Sequence, residues 1–282
     1  MNWRMKCLAF RAFAHVPGRG ALYRMVQRHV TQGHFETISP PLLRLQQFHV
    51  ANYLRVHPGR AFEFGGGRDF LGPLLLSRAG ALEIRVVDIR RLSSAAQINH
   101  TIRQLRTLVP GDWPEVQDVG NDLLRKYRIR YCAPGDARDT GLPDASVDFV
   151  YSTSTLEHIP SKDLRLIFRE CVRIAAPGAV FSHIIDYTDH YRYADTSVPI
   201  FNFYRFSEPR WRIWNPADHF QNRLRHADFE RLFASVGLTA VDIRKCEADP
   251  AALTSTPLAP EFRRYTRSDL LTEAGYCVLS RP

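Results

Sequence analysis

From residue 61 onward, short apolar runs alternate with segments whose apolar positions recur every three or four residues. This is the pattern of strands joined by amphipathic helices. Ala61–Phe64 reads as a strand ending in Gly65-Gly66-Gly67, and Asp69–Arg78 as a helix with Leu71, Leu74 and Leu75 on one side. Glu83–Ile89 is a second strand, Ser93–Val109 a helix facing inward through Ile98, Ile102 and Leu105, and Ile129–Cys132 a short third strand. Residues 111–122 are polar and rich in turn formers, and read as loop. Val147–Ser152 and Val180–Ile185 are strands on either side of a helix of about three turns. That helix is marked by Leu164, Ile167, Phe168, Cys171 and Val172, with Pro177-Gly178 as its stop. A helix over Phe229–Val236 closes on Gly237, between strands and excursions that end with Leu238–Cys246 and Tyr276–Ser280. The alternation implies right-handed crossovers and a mostly parallel sheet with helices on both faces.

Two stretches depart from it. Residues 1–57 read as a basic helical extension: Leu22, Met25, Val26, His29 and Val30 are helically spaced, Ser39-Pro40-Pro41 interrupts, and Leu42 to Val56 resumes. The remainder, 58–282, reads as one α/β domain carrying an aromatic insertion or lid at about 187–225, since structureless loops of that length are uncommon in a compact domain.

Composition narrows the class. The chain has 282 residues, 45% hydrophobic and 24% charged, which excludes a disordered or fibrous chain. No window approaches a membrane span. Five scattered cysteines without a C-x-x-C argue against a disulfide framework or a zinc site and suit a reducing, cytoplasmic setting. The net charge is +9, with 38 basic residues of which only four are Lys. Either an arginine-biased composition or attraction to an acidic partner accounts for it. No basic run is dense enough for a nucleic-acid arm, so no nucleic acid is expected. Residues 1–20 mix Arg4, Lys6 and Arg11 with Trp3, Leu8, Phe10 and Phe13. Arg11 interrupts what would be a signal peptide's apolar core, leaving a basic amphipathic helix that rests on the protein's own surface or peripherally on a membrane.

Ligands of open parallel sheets sit beyond the carboxyl ends of the strands. There the chain places Glu63 with the Gly65–Gly67 turn, then Asp88, 21 residues past Gly67, then Gly135-Asp136-Ala137, then Ser152-Thr153 running on to Glu157-His158. Glycines let a ligand approach the backbone, and an acid at that distance can accept from both ribose hydroxyls.

These segments, with Val86-Val87-Asp88, Leu142-Pro143, Val147-Asp148-Phe149-Val150-Tyr151-Ser152, Leu156-Glu157-His158-Ile159 and the helix Phe168 to Gly178, resemble the class I S-adenosylmethionine-dependent methyltransferases over about residues 60–186. The resemblance implies a Rossmann-like seven-stranded sheet in the order 3-2-1-4-5-7-6 with S-adenosylmethionine as cofactor. It implies that Glu63, Gly65, Gly66 and Gly67 back the methionine moiety, that Asp88 and Ile89 hold the ribose side, that Gly135, Asp136 and Ala137 edge the adenine, and that Ser152 and Thr153 line the methionine side. Asp69 stands where that family usually has a third glycine.

Methyl transfer from sulfur needs alignment above all, and an oxygen acceptor also needs a base. His190, Asp186 and His158 follow the fourth and fifth strands and are the expected catalytic groups, His190 as base with Asp186 or Asp189 orienting it, against a purely structural role for His190 and, at a helix start, for His158. No further carboxylate is placed to complete an oxygen-ligand metal site with Asp186 and Asp189, so no metal is expected. Asn202-Phe203-Tyr204-Arg205-Phe206 and Asn222-Arg223-Leu224-Arg225 read either as an acceptor lid, with aromatics for planar or sugar rings and arginine forks for phosphate or carboxylate, or as a buried core covering the sheet, and both can hold at once. The acceptor is expected to be a small molecule, sugar or lipid-linked glycan. A nucleotide-binding Rossmann protein of another kind, or a catalytically inactive scaffold, are the alternatives; the first lacks the full G-x-G-x-x-G turn. The pattern is silent on oligomeric state.

Overall fold

A computed structural model describes residues 2–14, 37–254 and 256–282 of the chain. The helical spacing from Leu22 to Val30 falls outside those residues. The elements in order are α1 (Trp3–Ala14), α2 (Pro40–Tyr53), β1 (Arg60–Phe64), α3 (Leu71–Arg78), β2 (Glu83–Val87), α4 (Ala95–Leu108), α5 (Asn121–Tyr127) and β3 (Ile129–Cys132). They continue with β4 (Val147–Thr153), α6 (Ser161–Ile174), β5 (Ala175–Asp186), α7 (Glu208–Trp214), α8 (His226–Ser235), β6 (Thr239–Glu247), α9 (Ala251–Thr254), α10 (Arg267–Leu271) and β7 (Thr272–Ser280). The seven strands form one sheet in the order β3-β2-β1-β4-β5-β7-β6. β1 to β5 are parallel, and β7 runs antiparallel to both β5 and β6. This is the order the resemblance implies.

Strand alternation divides the core in two. Ala61, Ile84, Phe149, Tyr151 and Val180 face α2, α3, α4 and α5. Phe62, Phe64, Val150, Phe181 and Cys277 face α6 and α8. On α6 the buried positions Leu164, Ile167, Phe168, Cys171 and Ile174 form one stripe, and burying each large side chain contributes roughly 1.5–3 kcal/mol.

Several boundaries differ from the sequence reading for local reasons. Pro40-Pro41 opens α2 rather than breaking a helix, because proline lacks the N–H that the first turn leaves unpaired; Ser39 caps it, accepting from Leu42 N–H at 3.4 Å. α6 ends at Ile174, ahead of Pro177-Gly178. Those two residues lie in a bulge within β5, where pairing with β4 jumps from Val147–Ala175 to Phe149–Val180. The 111–122 loop is anchored by buried Trp113 and Val116 and runs into α5, which at about two turns is too short to leave a periodic signal.

The aromatic stretch after β5 builds a third core of its own. Tyr191, Phe201, Phe203, Tyr204 and Trp211 pack with Phe262, Leu270 and, from α1, Trp3 and Cys7. Trp3 lies 5.1 Å from the Tyr191 ring and 5.0 Å from Trp214, so α1 rests on the protein's own surface. Its outward face leaves Met5 and Leu8 exposed. Among the described residues no helix is long and apolar enough to cross a membrane.

Arg225 joins this layer to the sheet. Its guanidinium is fully buried, donating to the carbonyls of Tyr187 (3.0 Å), Asp269 (3.1 and 3.0 Å) and Thr272. It also stacks over Tyr187, Phe201 and Tyr204 at 4.9, 5.5 and 5.2 Å. Arg223 likewise donates to the carbonyls of Phe203 and Phe206 and pairs with Glu208. Both arginines are spent on backbone and ring contacts inside the layer, which corrects the expectation that they present forks to an acceptor. Arg225→Met should lower the unfolding free energy in urea by ~3 kcal/mol or more, since several buried carbonyls lose their donor. Arg225→Lys should not restore it, because an ammonium cannot fork to three carbonyls; a loss below ~1 kcal/mol in the Met variant would show the contacts to be dispensable.

Candidate active site

β1 ends at the glycine turn in the middle of the sheet edge. Gly65 donates to Val87 O at 2.9 Å, and φ is +75° at Gly65 and +64° at Gly67, backbone that L side chains rarely adopt. A Cβ at Gly66 would sit 2.2 Å from Val86 Cγ1. Asp88, just past β2, accepts from Gly67 N–H at 3.4 Å and Arg90 N–H at 2.9 Å. Burial nonetheless pushes its pKa above the ordinary carboxylate value. Asp69 accepts from Leu71 N–H at 3.0 Å and so steadies the start of α3, where Phe70 takes the left-handed conformation.

Beside the turn lies a cavity of about 570 Å³, lined by Glu63, Gly65 to Gly67, Asp69 and Thr153 and roofed by Leu42, Leu45 and Gln46 of α2. Glu63 is a buried carboxyl in its wall. Tyr151 O–H donates to it at 3.1 Å. Burial, reinforced by the charges of Asp69 and Asp88, raises its pKa to about 8. Gln46 Oε1, buried at the same wall, has no hydrogen-bond partner. Gln46 Nε2 and His49 Nε2 both reach Thr153 Oγ1, at 3.2 and 3.1 Å, and His49 Nδ1 reaches Ser182 Oγ at 2.8 Å. Burial holds His49 near 3, hence neutral.

The structure gathers some of the expected cofactor residues and turns others away. Glu63, Gly65, Gly66, Gly67 and Thr153 line the cavity. Asp88 stands at its edge, and Ile89 is 73% exposed beside it. Gly135 donates to Asp88 O at 2.8 Å, which keeps the β3 turn next to the β2 turn. Asp136 is gripped by Arg138, with three contacts of 2.7 to 3.0 Å, and Arg138 also reaches Asp163 at 2.9 Å. Ala137 packs against the α6 face of the sheet. Ser152 also belongs to that opposite face: its hydroxyl meets His183 Nδ1 at 2.8 Å.

The acceptor-side residues converge at the ends of β4 and β5. His190 Nε2 lies 3.2 Å from Asp186 Oδ2, and the His158 and His190 rings are 4.7 Å apart. His158 Nδ1 meets the carbonyl of Phe220 at 2.9 Å, and burial with His190 nearby lowers its pKa. Burial tends to raise Asp186, but His190, Tyr193 and the Thr188 N–H together hold it below its ordinary value. Glu157, not singled out from the sequence, is 2% exposed in the same cluster, with no partner on either carboxyl oxygen. Burial and the neighbouring Asp186 push its pKa well up. The signal for it was its place next to His158, one turn past a strand end. The insertion closes over both sites: Asp218 pairs with Arg90 at 2.9 Å, and Asn222 N–H donates to Glu157 O at 2.8 Å.

The sheet order and the strand-end site define a class I S-adenosylmethionine-dependent methyltransferase fold. Residues 112–182 match a family described as a methyltransferase domain. A search of curated proteins finds no match. Among solved structures, the geranyl diphosphate C-methyltransferase of Streptomyces coelicolor A3(2), with Mg2+, geranyl diphosphate and S-adenosyl-L-homocysteine, is 16% identical at a TM-score of 0.50, over 85% of this chain and 80% of its own. A geranyl diphosphate methyltransferase in complex with SAM gives 0.51 at 16% identity, over 85% of each chain. The [4+2]-cyclase SpnF gives 0.50 at 13% identity, over 86% and 82%. Likeness at this identity speaks for the fold, and SpnF shows that the fold also carries a cyclase.

Glu63 makes a direct prediction for the ligand-free protein. Its pKa is about 8 when folded against 4.5 ordinarily, so between those values the folded chain holds a proton that the unfolded chain has released. Its contribution therefore makes stability fall as pH rises across that window. Glu63→Gln should match wild type near pH 4 and exceed it at pH 8 by on the order of 1–3 kcal/mol in urea unfolding. Parallel curves across the whole range would contradict the assignment.

Proposed function

We propose that the protein is an S-adenosylmethionine-dependent methyltransferase that acts on a small-molecule acceptor at oxygen. The observation that carries this reading is the sign of the cavity. Glu63, Asp69 and Asp88 surround the glycine turn, and the one cation among its lining residues, Arg68, is exposed at the mouth. Asp69 and Asp88 set a negative sign there, and Glu63 adds a third charge on losing its proton; this suits a cationic nucleoside and repels a diphosphate, which disfavours a dinucleotide or nucleotide-sugar ligand. The volume is within the range of small-molecule sites, and Gln46 Oε1, which has no hydrogen-bond partner among the described residues, is an acceptor open to a ligand's donor.

Bound there, S-adenosylmethionine supplies a methyl group on positively charged sulfur, a leaving group that needs no acid. Glu63 and Gln46 would receive its amino-acid end and Asp88 its ribose hydroxyls. Ile89 offers an apolar surface for the base. Asp136, held by Arg138, would reach the adenine only through an oxygen that Arg138 shares. The acceptor hydroxyl would lie beside His190 and Asp186, which take its proton. We place the protein in the cytoplasm, where its five unpaired cysteines are stable.

Titration calorimetry with S-adenosylmethionine tests the reading. Saturable binding is expected, weakened about tenfold or more in Asp88→Asn, because a neutral amide gives up the charge-assisted bonds. Absence of saturable binding at millimolar ligand would overturn it.

A further inference from the structure

The cluster at the ends of β4 and β5 has the makings of a site that methyl transfer by itself does not explain. Glu157, His158 and His190 each offer a ligand atom, and these atoms all lie within 4.8 Å of one another. Metal bonds of about 2.0–2.2 Å bring donors some 3–4 Å apart, so side-chain shifts of about 1 Å close the set. Two features mark it as more than a chance grouping. Glu157 is 2% exposed, and among the described residues neither of its carboxyl oxygens has a hydrogen-bond partner. His190 is 7% exposed, and its Nε2, although 3.2 Å from Asp186 Oδ2, has no aligned hydrogen bond. An acid and an imidazole left unsatisfied side by side cost stability in the absence of a ligand.

The supporting contacts are those of a metal-bound imidazole. His158 Nδ1 is engaged by the carbonyl of Phe220 at 2.9 Å, which fixes the tautomer and frees Nε2. Asp186, whose other oxygen accepts from Thr188 N–H at 2.8 Å, stands behind His190. Solvent reaches the cluster past His158, which is exposed where the other two ligands are buried.

We propose that Glu157, His158 and His190 bind one divalent transition-metal ion, with Asp186 as neighbouring carboxylate. Two imidazoles and one carboxylate select zinc, iron(II), cobalt(II) or manganese(II) over calcium or magnesium. Glu157 gives up its proton on binding. Positions not filled by the protein face the acceptor side, where an ion lowers the pKa of a bound hydroxyl and supplies by charge what the cluster otherwise supplies as a base. The site stands on its own geometry and does not depend on the cofactor assignment.

The test uses the full chain, stripped with chelator and dialysed, without S-adenosylmethionine. Titration with Zn2+ by calorimetry should show one equivalent bound in wild type. Glu157→Gln and His190→Asn should each weaken that binding about tenfold or more, with folding of each variant checked by circular dichroism. Should a variant not fold, Cu2+-loaded wild type still decides: its electron paramagnetic resonance spectrum should show superhyperfine coupling to imidazole nitrogen at one equivalent. Absence of stoichiometric uptake in wild type, equal uptake in a folded variant, or a copper spectrum without nitrogen coupling would each overturn the proposal.

Discussion

Taking a carboxyl group out of water without a cation costs several kcal/mol if it stays charged, and this fold does so twice along one sheet edge. Glu63 at the end of β1 and Glu157 just past β4 are both buried, and among the described residues no ion pair reaches either. Both respond by holding protons, Glu63 up to about pH 8. Neither contributes to folding in that state; a leucine or glutamine would be cheaper. β1 and β4 are paired in parallel, with Glu63 opposite Tyr151, so both acids follow from strands that end on the same side of the sheet. Such groups persist where something positively charged is to be received.

The other elements are arranged around that edge. α2 roofs the cavity and is itself held by neutral His49, which joins Thr153 of β4 to Ser182 of β5. The insertion closes the opposite side, kept in place by Arg225 at the sheet and reaching across to Arg90 through Asp218. α1 lies on the outside of the insertion, Trp3 among its aromatics and Phe10 stacked on His219 at 5.5 Å. The N-terminal extension thus serves two separate purposes, one helix at the cavity and one behind the acceptor side.

The strand–helix alternation was legible in the sequence because it depends on periodicity, and the order of strands only through the family resemblance that the strand-end motifs carry. Direction of side chains was less so, though part of it was available. In β4 the core residues Phe149 and Tyr151 share a face with Thr153, so alternation alone sends Ser152 to the other side, where it meets His183. The role of Arg223 and Arg225 was not legible: nothing local distinguishes an arginine that holds backbone carbonyls from one that awaits a ligand. Glu157 escaped because a search for several carboxylates around Asp186 and Asp189 overlooks a mixed set in which histidines supply two of three donors.

Two cationic guests in one crevice raise the question of mutual repulsion, and the charge count answers it. A divalent ion between Glu157 and Asp186 is balanced by two carboxylates once Glu157 has lost its proton, so the loaded cluster presents no net charge to its neighbour. On the proposed function, a sulfonium at the glycine turn would meet the charges of Asp69 and Asp88 together with Glu63. Coulomb energy between unit charges a few ångströms apart is about 4 kcal/mol at a protein surface, enough to exclude one guest if either site were left uncompensated. A proton on Glu63 or Glu157 removes one negative charge from its site, which leaves Asp186 as the charged carboxylate of one cluster and Asp69 with Asp88 as those of the other. Thr155, whose hydroxyl lies 3.4 Å from Gly65 O and which stands two residues before Glu157, connects the two sites, so that the glycine turn and the His–Glu cluster are parts of one strand-end surface.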